Sequence, residues 1–152
     1  MVFISKKVFN EIRRIQMSRR TARETAMHAY YQMEIHKDCG EDVAKTYIDE
    51  TVSNEGDKKY INEMIHLFIE NKGAIDKNIN DNLKGWSIER LSKIDLAILR
   101  ISLVEMLFRD DIPVKVSINE AIELGKRYGT EESSSFISGL LGSVAKIGDM
   151  DE

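Results

Sequence analysis

The residue types with most chemistry in reach lie early in the chain. Arg19, Arg20 and Arg23 follow Ser18 in SRRTARETAMHAYYQMEIHK. That stretch reads as a helix, with Ala22, Ala26, Ala29, Tyr30 and Met33 at three- and four-residue spacing on its inner side. Ser18 is of the right type for its N-cap. The three guanidinium groups then occupy the first turns, where the partial positive charge of a helix end disfavours cations. Such a local conflict marks a functional position. A phosphate bound there would meet free backbone N–H groups and guanidinium forks together. The competing reading is a solvated face in which Glu24 and neighbouring acids pair with the arginines.

Catalytic groupings fare less well. His36 and Cys39 have a metal-ligand gap, but His28 and His66 supply no second pair for zinc. Ser133, Ser134 and Ser135 fall at a helix start, not in a strained strand-to-helix elbow. No glycine-rich phosphate loop or dinucleotide fingerprint occurs. The expectation is a binding protein, not an enzyme, with no metal and no cofactor.

Charge agrees with a polyanion. Residues 1–23 carry seven basic side chains against Glu11 alone, a net of +6 in a chain whose total is −4. The rest must therefore carry −10, so a basic end sits on an acidic body. A merely solvated basic terminus fits the same charges. With 152 residues, 42% hydrophobic and 32% charged, the chain has the size and composition of one globular domain. Cys39 stands alone, which excludes an internal disulfide framework and fits a reducing cytoplasm. No stretch reads as a membrane span or a secretory signal.

The element that must position the rest is LSKIDLAILRISLVEMLF, Leu91 to Phe108. Its large apolar residues fall on every face of a helix, and such a helix is buried all round. Lys93, Asp95, Arg100 and Glu105 interrupt it and argue against a membrane. Before it come a short helix near 42–52, with Val43, Tyr47, Ile48 and Val52 inward, and a longer one capped by Asp57. The longer helix carries Tyr60, Ile61, Met64, Ile65, Phe68 and Ile69, then bends or divides at Gly73. After it, Ser117 and Glu120 have capping-box spacing, and Gly129 suits a left-handed cap. A last helix from Thr130 turns Phe136, Ile137, Leu140, Leu141 and Val144 inward.

The order of these motifs resembles the NusB family of bacterial transcription antitermination factors over about residues 17–145. Arg19-Arg20-Thr21-Ala22-Arg23-Glu24 with Ala29-Tyr30-Tyr31, then Ile98-Leu99-Arg100-Ile101, then Val116 to Leu124 with Lys126-Arg127-Tyr128-Gly129, and finally Ser135 to Leu141 carry the likeness. Tyr30, Gly125 and Ser138 depart from the family's usual leucine, alanine and asparagine. Gly125 costs a helix about 1 kcal/mol unless a neighbour packs closely on it.

The resemblance implies an all-α fold, a compact helical domain of two small helix bundles packed around a central buried helix. It implies single-stranded boxA RNA of ribosomal RNA leader transcripts as ligand. The implied protein partner is the small-subunit ribosomal protein that acts as NusE, with other Nus factors and RNA polymerase engaged indirectly. By the same resemblance Arg19, Arg20, Arg23, Glu132 and Phe136 are RNA-binding positions, and Tyr31 and Asp95 are partner-binding positions. Each has a plainer reading. Phe136 has core spacing with Leu140, Tyr31 fits a core tyrosine, Glu132 a helix-start carboxylate, and Asp95 a paired structural charge. The alternative function is a helical protein–protein adaptor or homodimer without specific RNA binding.

Three segments are expected: residues 1–16, the helical domain over 17–147, and an acidic tail over 148–152. Arg13-Arg14 is encodable as AGG-AGG, a purine-rich ribosome-binding sequence two codons before Met17. Residues 1–16 are accordingly read as translated leader. Mass spectrometry of the native protein should find an N-terminus at Met17 or Ser18; a peptide beginning at Met1 or Val2 refutes this.

Overall fold

A helix with apolar side chains on all faces needs neighbours on all faces, and the architecture follows from that requirement. A computed structural model describes residues 5–37, 45 and 55–148. Five α-helices are described: α1 (Lys6–Ile35), α2 (Glu55–Asp81), α3 (Lys93–Phe108), α4 (Val114–Tyr128) and α5 (Ser133–Ile147). A 3₁₀ turn, Ile88–Arg90, leads into α3. Among the described residues there is no strand.

The central helix is α3. It packs against α1, α2, α4 and α5. Every residue from Leu96 to Met106 is buried, while Phe108 emerges at the last turn. Side chains such as Ile98, Leu99, Ile101 and Leu103 are fully enclosed, each worth about 1.5–3 kcal/mol of burial. Ser92 caps the helix, accepting from the Asp95 N–H at 3.0 Å.

Several helix ends depart from the sequence expectation, for local reasons. α1 begins at Lys6, where the Ser5 hydroxyl accepts from the Val8 N–H at 3.2 Å. Ser18 is therefore inside a 30-residue helix, not at its start. The arginines sit mid-helix, where backbone N–H groups are already bonded and the end charge has faded. In α2 the first turn starts at Glu55, ahead of Asp57. Its backbone leaves helical geometry at Asn71 (φ −123°, ψ 17°), not at Gly73. The Asn71 side-chain amide donates to the Leu67 carbonyl at 2.8 Å, a side-chain competitor to the helix's own ladder.

The second half shows three more such departures. Pro113 occupies the N-cap of α4, so Ser117 lies a turn inside and forms no capping box with Glu120. Gly129 is extended (φ −94°, ψ −165°), and crowding is what demands glycine there. An added Cβ would stand 2.3 Å from Ser133 Oγ and 2.5 Å from Ser133 Cβ. Gly125 meets the condition set for it: its Cβ would lie 3.1 Å from Ile137 Cδ1 and 3.3 Å from the Ser134 backbone. α5 starts at Ser133, not Thr130, with the Thr130 N–H donating to Ser133 Oγ at 2.9 Å. The helix expected near 42–52 (residue 45 apart), Cys39 and residues 149–152 lie outside the described residues.

The inward residues of α1, α2 and α5 are largely those the periodicity assigns. Ala22, Ala26, Ala29, Tyr30 and Met33 are buried, joined by Met27. Tyr60, Ile61, Met64, Ile65 and Phe68 are buried, and Ile69 is half-buried.

Charged residues also knit the helices. The Arg100 guanidinium donates to both Asp76 oxygens at 2.9 and 2.8 Å and to Glu34 Oε1 at 2.8 Å. Burial alone would raise the Glu34 pKa, but hydrogen bonds from Lys37 and Arg100 outweigh it and hold the carboxyl at about 2. A carboxyl held low stabilises the fold above its ordinary titration range near 4.5, and that contribution fades as pH falls toward 2. Circular dichroism of urea unfolding should therefore show stability falling between about pH 5 and pH 2. Glu34→Gln should be less stable at pH 7 and flatter across that window; an unchanged pH slope refutes the assignment.

Candidate nucleic-acid interface

Successive residues of a helix are turned about 100° from one another, so three clustered arginines cannot all share one environment. Arg23 faces the core. It is 4% exposed, and its Nε donates to Glu105 Oε2 at 2.8 Å. Burial alone would lower its pKa, yet the facing Glu105 carboxylate more than offsets this and keeps the guanidinium charged. Glu105, fully buried, also accepts from the Tyr60 hydroxyl and from Ser117 Oγ at 2.8 Å. Burial and the Glu105 charge push the Tyr60 hydroxyl well above its ordinary pKa, so it remains a donor. The expectation that Arg23 acts alongside the other two on a phosphate is thus corrected: its fork is committed inside the protein.

Arg19 and Arg20 are placed differently. Arg19 is half-buried with its guanidinium 4.7 Å above the centre of the Tyr60 ring. Arg109 stands 5.3 Å over the same ring while bonded to Asp111 and Glu63. Arg20 is 67% exposed and paired with Glu120 at 2.8 Å. It borders a cleft of about 340 Å³ between α1 and α4, with Glu24, Glu120, Lys126 and Arg127 on its walls. Arg127 lies 2.6 Å from Glu24, which also accepts from the Tyr128 hydroxyl. Exposed pairs of this kind are worth at most about 1 kcal/mol, so a phosphate can take over such a guanidinium at little cost. Glu123 completes the wall and lies 3.5 Å from Lys126, so three cations face three carboxylates there and each cation is lightly paired.

Lys126, Arg127 and Arg109 are the additions that sequence reasoning missed as site residues. Lys126 and Arg127 were visible in a quoted motif, but Arg127 meets Glu24 across 103 residues of chain, a separation that periodicity does not bridge.

The remaining candidates form two further groups. Glu132 is exposed at the N-cap of α5 and accepts from Thr130 Oγ1 at 3.2 Å. Phe136 follows one turn later, half-buried against the core, and borders a second cleft that also holds Trp86. That cleft shares no wall residue with the Arg20 cleft. Tyr31 is half-buried on α1, and Asp95 is half-buried at the start of α3. The Glu34–Lys93 pair, 3.7 Å apart, ties their two segments together. Asp95 Oδ1 is buried and lacks a hydrogen-bond partner. No cluster of three metal-ligand side chains occurs among the described residues.

This helical arrangement and its sequence have known relatives. The NusB family model matches residues 20–146. The chain belongs to the NusB family. It is 47% identical over 131 residues to the transcription antitermination protein NusB of Acetivibrio thermocellus, covering 86% of this chain and 90% of that one. A T. maritima NusB structure superposes with a TM-score of 0.79 at 40% identity, covering 84% and 90% of the two chains. A crystal structure of the antitermination factors NusB and NusE in complex with double-stranded RNA shares the fold. It superposes with a TM-score of 0.78 at 23% identity, over 86% and 98% of the chains. The family match begins at Arg20 and ends within a residue of the resemblance drawn from motifs.

The arginines should separate cleanly by stability. Arg23→Ala leaves the Glu105 carboxylate buried without its cation and should cost about 3–5 kcal/mol in urea unfolding. Arg20→Ala should cost no more than about 1 kcal/mol. Equal effects at the two positions would contradict the division.

Proposed function

We propose that this NusB-family chain is an RNA-binding transcription antitermination factor. In this reading it binds boxA-type single-stranded RNA together with the small-subunit ribosomal protein that acts as NusE. It then supports processive elongation, reaching other Nus factors and RNA polymerase through that assembly. The reading is carried by the family match across residues 20–146. It is of a cytoplasmic binding protein without catalysis; among the described residues no helix is long and apolar enough to cross a membrane.

In this reading Arg19 and Arg20 neutralise phosphate, with Lys126 and Arg127 beside them, while Arg23 anchors the helix that presents them. Such contacts give salt-sensitive affinity and position the strand, but they do not read bases. Base recognition falls to aromatic and polar groups at the surface, here the half-buried Phe136 with the exposed Glu132 beside it. Tyr31 and Asp95 face the ribosomal partner. A donor from that partner would satisfy Asp95 Oδ1, whose isolation otherwise costs on the order of 1–3 kcal/mol.

Fluorescence anisotropy with a labelled boxA RNA, with and without the NusE-type protein, tests the proposal across a salt series. The expected result is tighter binding with the partner present. Arg20→Ala should weaken binding and lower the slope of log affinity against log salt by about 1. Equal affinity for any polyanion, or indifference to Arg19→Ala and Arg20→Ala, would favour a protein adaptor instead.

A further inference from the structure

The second cleft has features that the arginine surface lacks. It measures about 420 Å³ and lies between the turn after α2 and the outer side of α5. Trp86 stands on its rim, 60% exposed, carried by a turn in which Gly85 adopts φ +78°. Only a glycine takes that backbone conformation without strain, so the turn is fixed by sequence. Phe136 lines the same cleft. Gly139 also lines it, and a Cβ built there would meet nothing within 4 Å. There is thus open space beside Gly139 for a side chain that α5 does not carry, at a helix cost of about 1 kcal/mol.

We propose that this cleft seats a base of single-stranded RNA, stacked on Trp86 and bounded by Phe136. The inference rests on the RNA-binding reading above and deepens it, adding Trp86 and the cleft it shares with Phe136. Three observations select this occupant. An aromatic ring with an open face is the platform that unpaired bases use, since every base has a π-face. Among the described residues Lys84 is the one charged residue on the cleft wall, a cation suited to an anionic backbone. Asn82 and Ser143 add amide and hydroxyl groups of the kind that meet base edges. The cleft is also continuous with the edge that carries Glu132, because Phe136 lies on its wall one helical turn from that residue. A duplex keeps its bases stacked on one another, so only an unpaired strand can enter.

Trp86 is the single tryptophan of the chain, so its emission reports this cleft alone. The test uses the full-length protein, a tryptophan-free NusE-type partner, and three additions made separately. These are the partner, a single-stranded boxA RNA, and the same RNA annealed to its complement. Quenching of Trp86 by the single strand is expected, with little by the duplex and little by the partner. Trp86→Ala should weaken single-strand binding by between about fivefold and a hundredfold, and Trp86→Phe should retain most of it. Gly139→Leu, which fills the slot, should weaken binding without lowering the urea midpoint. If anisotropy reports RNA binding while Trp86 emission and the Trp86→Ala affinity are unchanged, the cleft proposal falls and the RNA-binding reading stands. Quenching by the partner alone makes the cleft a protein pocket and overturns the proposal. If no RNA binds under any condition, both readings fall.

Discussion

A fully buried carboxylate is costly unless every lone pair finds a donor, and Glu105 imposes that requirement on the whole fold. It sits on α3 and draws one donor from each of three other helices: Arg23 of α1, Tyr60 of α2 and Ser117 of α4. Apolar packing alone would let these helices slide and still bury their surface. A charge that must meet three specific donors fixes their register. As an ion pair the arrangement adds little net stability over a hydrophobic substitute, so its physical effect is best described as selecting one packing.

Arg100 repeats the device on another side of α3, joining Asp76 of α2 and Glu34 of α1. Arg23 and Glu34 are eleven residues apart on α1, roughly 16 Å of helix. The long first helix is thus pinned to the central one at two separated points. Arg19 and Arg20 lie just before the first pin, on a segment whose rotation is set from within the core. Cationic groups held on such a segment, the half-buried Arg19 and the exposed Arg20, keep their aim, which loosely attached basic tails do not.

Much of this was legible in the sequence. The all-round apolar pattern of Leu91–Phe108 specified burial on every side, and the four-residue spacings of α1 and α2 picked out their inward faces. Gly125 was readable as a close approach because its helix cost needed a neighbour. What failed were readings that depend on partners distant in sequence. Ser117 and Glu120 have capping-box spacing, yet Ser117 answers to Glu105 and Glu120 to Arg20, a hundred residues away. Arg23 looked like its neighbours because charge patterning cannot show which of three arginines the core has taken. Ser18 looked like a cap because the sequence upstream was read as a separate segment, whereas the helix continues through it. The RNA-facing candidates Glu132 and Phe136 came from the family pattern alone, since periodicity assigned Phe136 to the core. The structure leaves its ring half-buried, between the two readings.

The division among the arginines also bears on how such a surface can discriminate. Guanidinium groups that face water bind phosphate through weak, exchangeable contacts that are the same for every sequence. A surface made only of Arg19, Arg20, Lys126 and Arg127 would therefore hold any polyanion, and salt would remove it. Discrimination needs groups whose contact energy depends on the base, and those must be held rigidly enough that a wrong base pays a real penalty. The half-buried Phe136, backed by the core, satisfies that rigidity in a way a freely rotating surface side chain does not. In the proposed reading, affinity would come from the α1–α4 surface and selectivity from α5, separate properties on separate helices. Both are referred to the same central helix, so their spacing is set by the packing that Glu105 and Arg100 enforce.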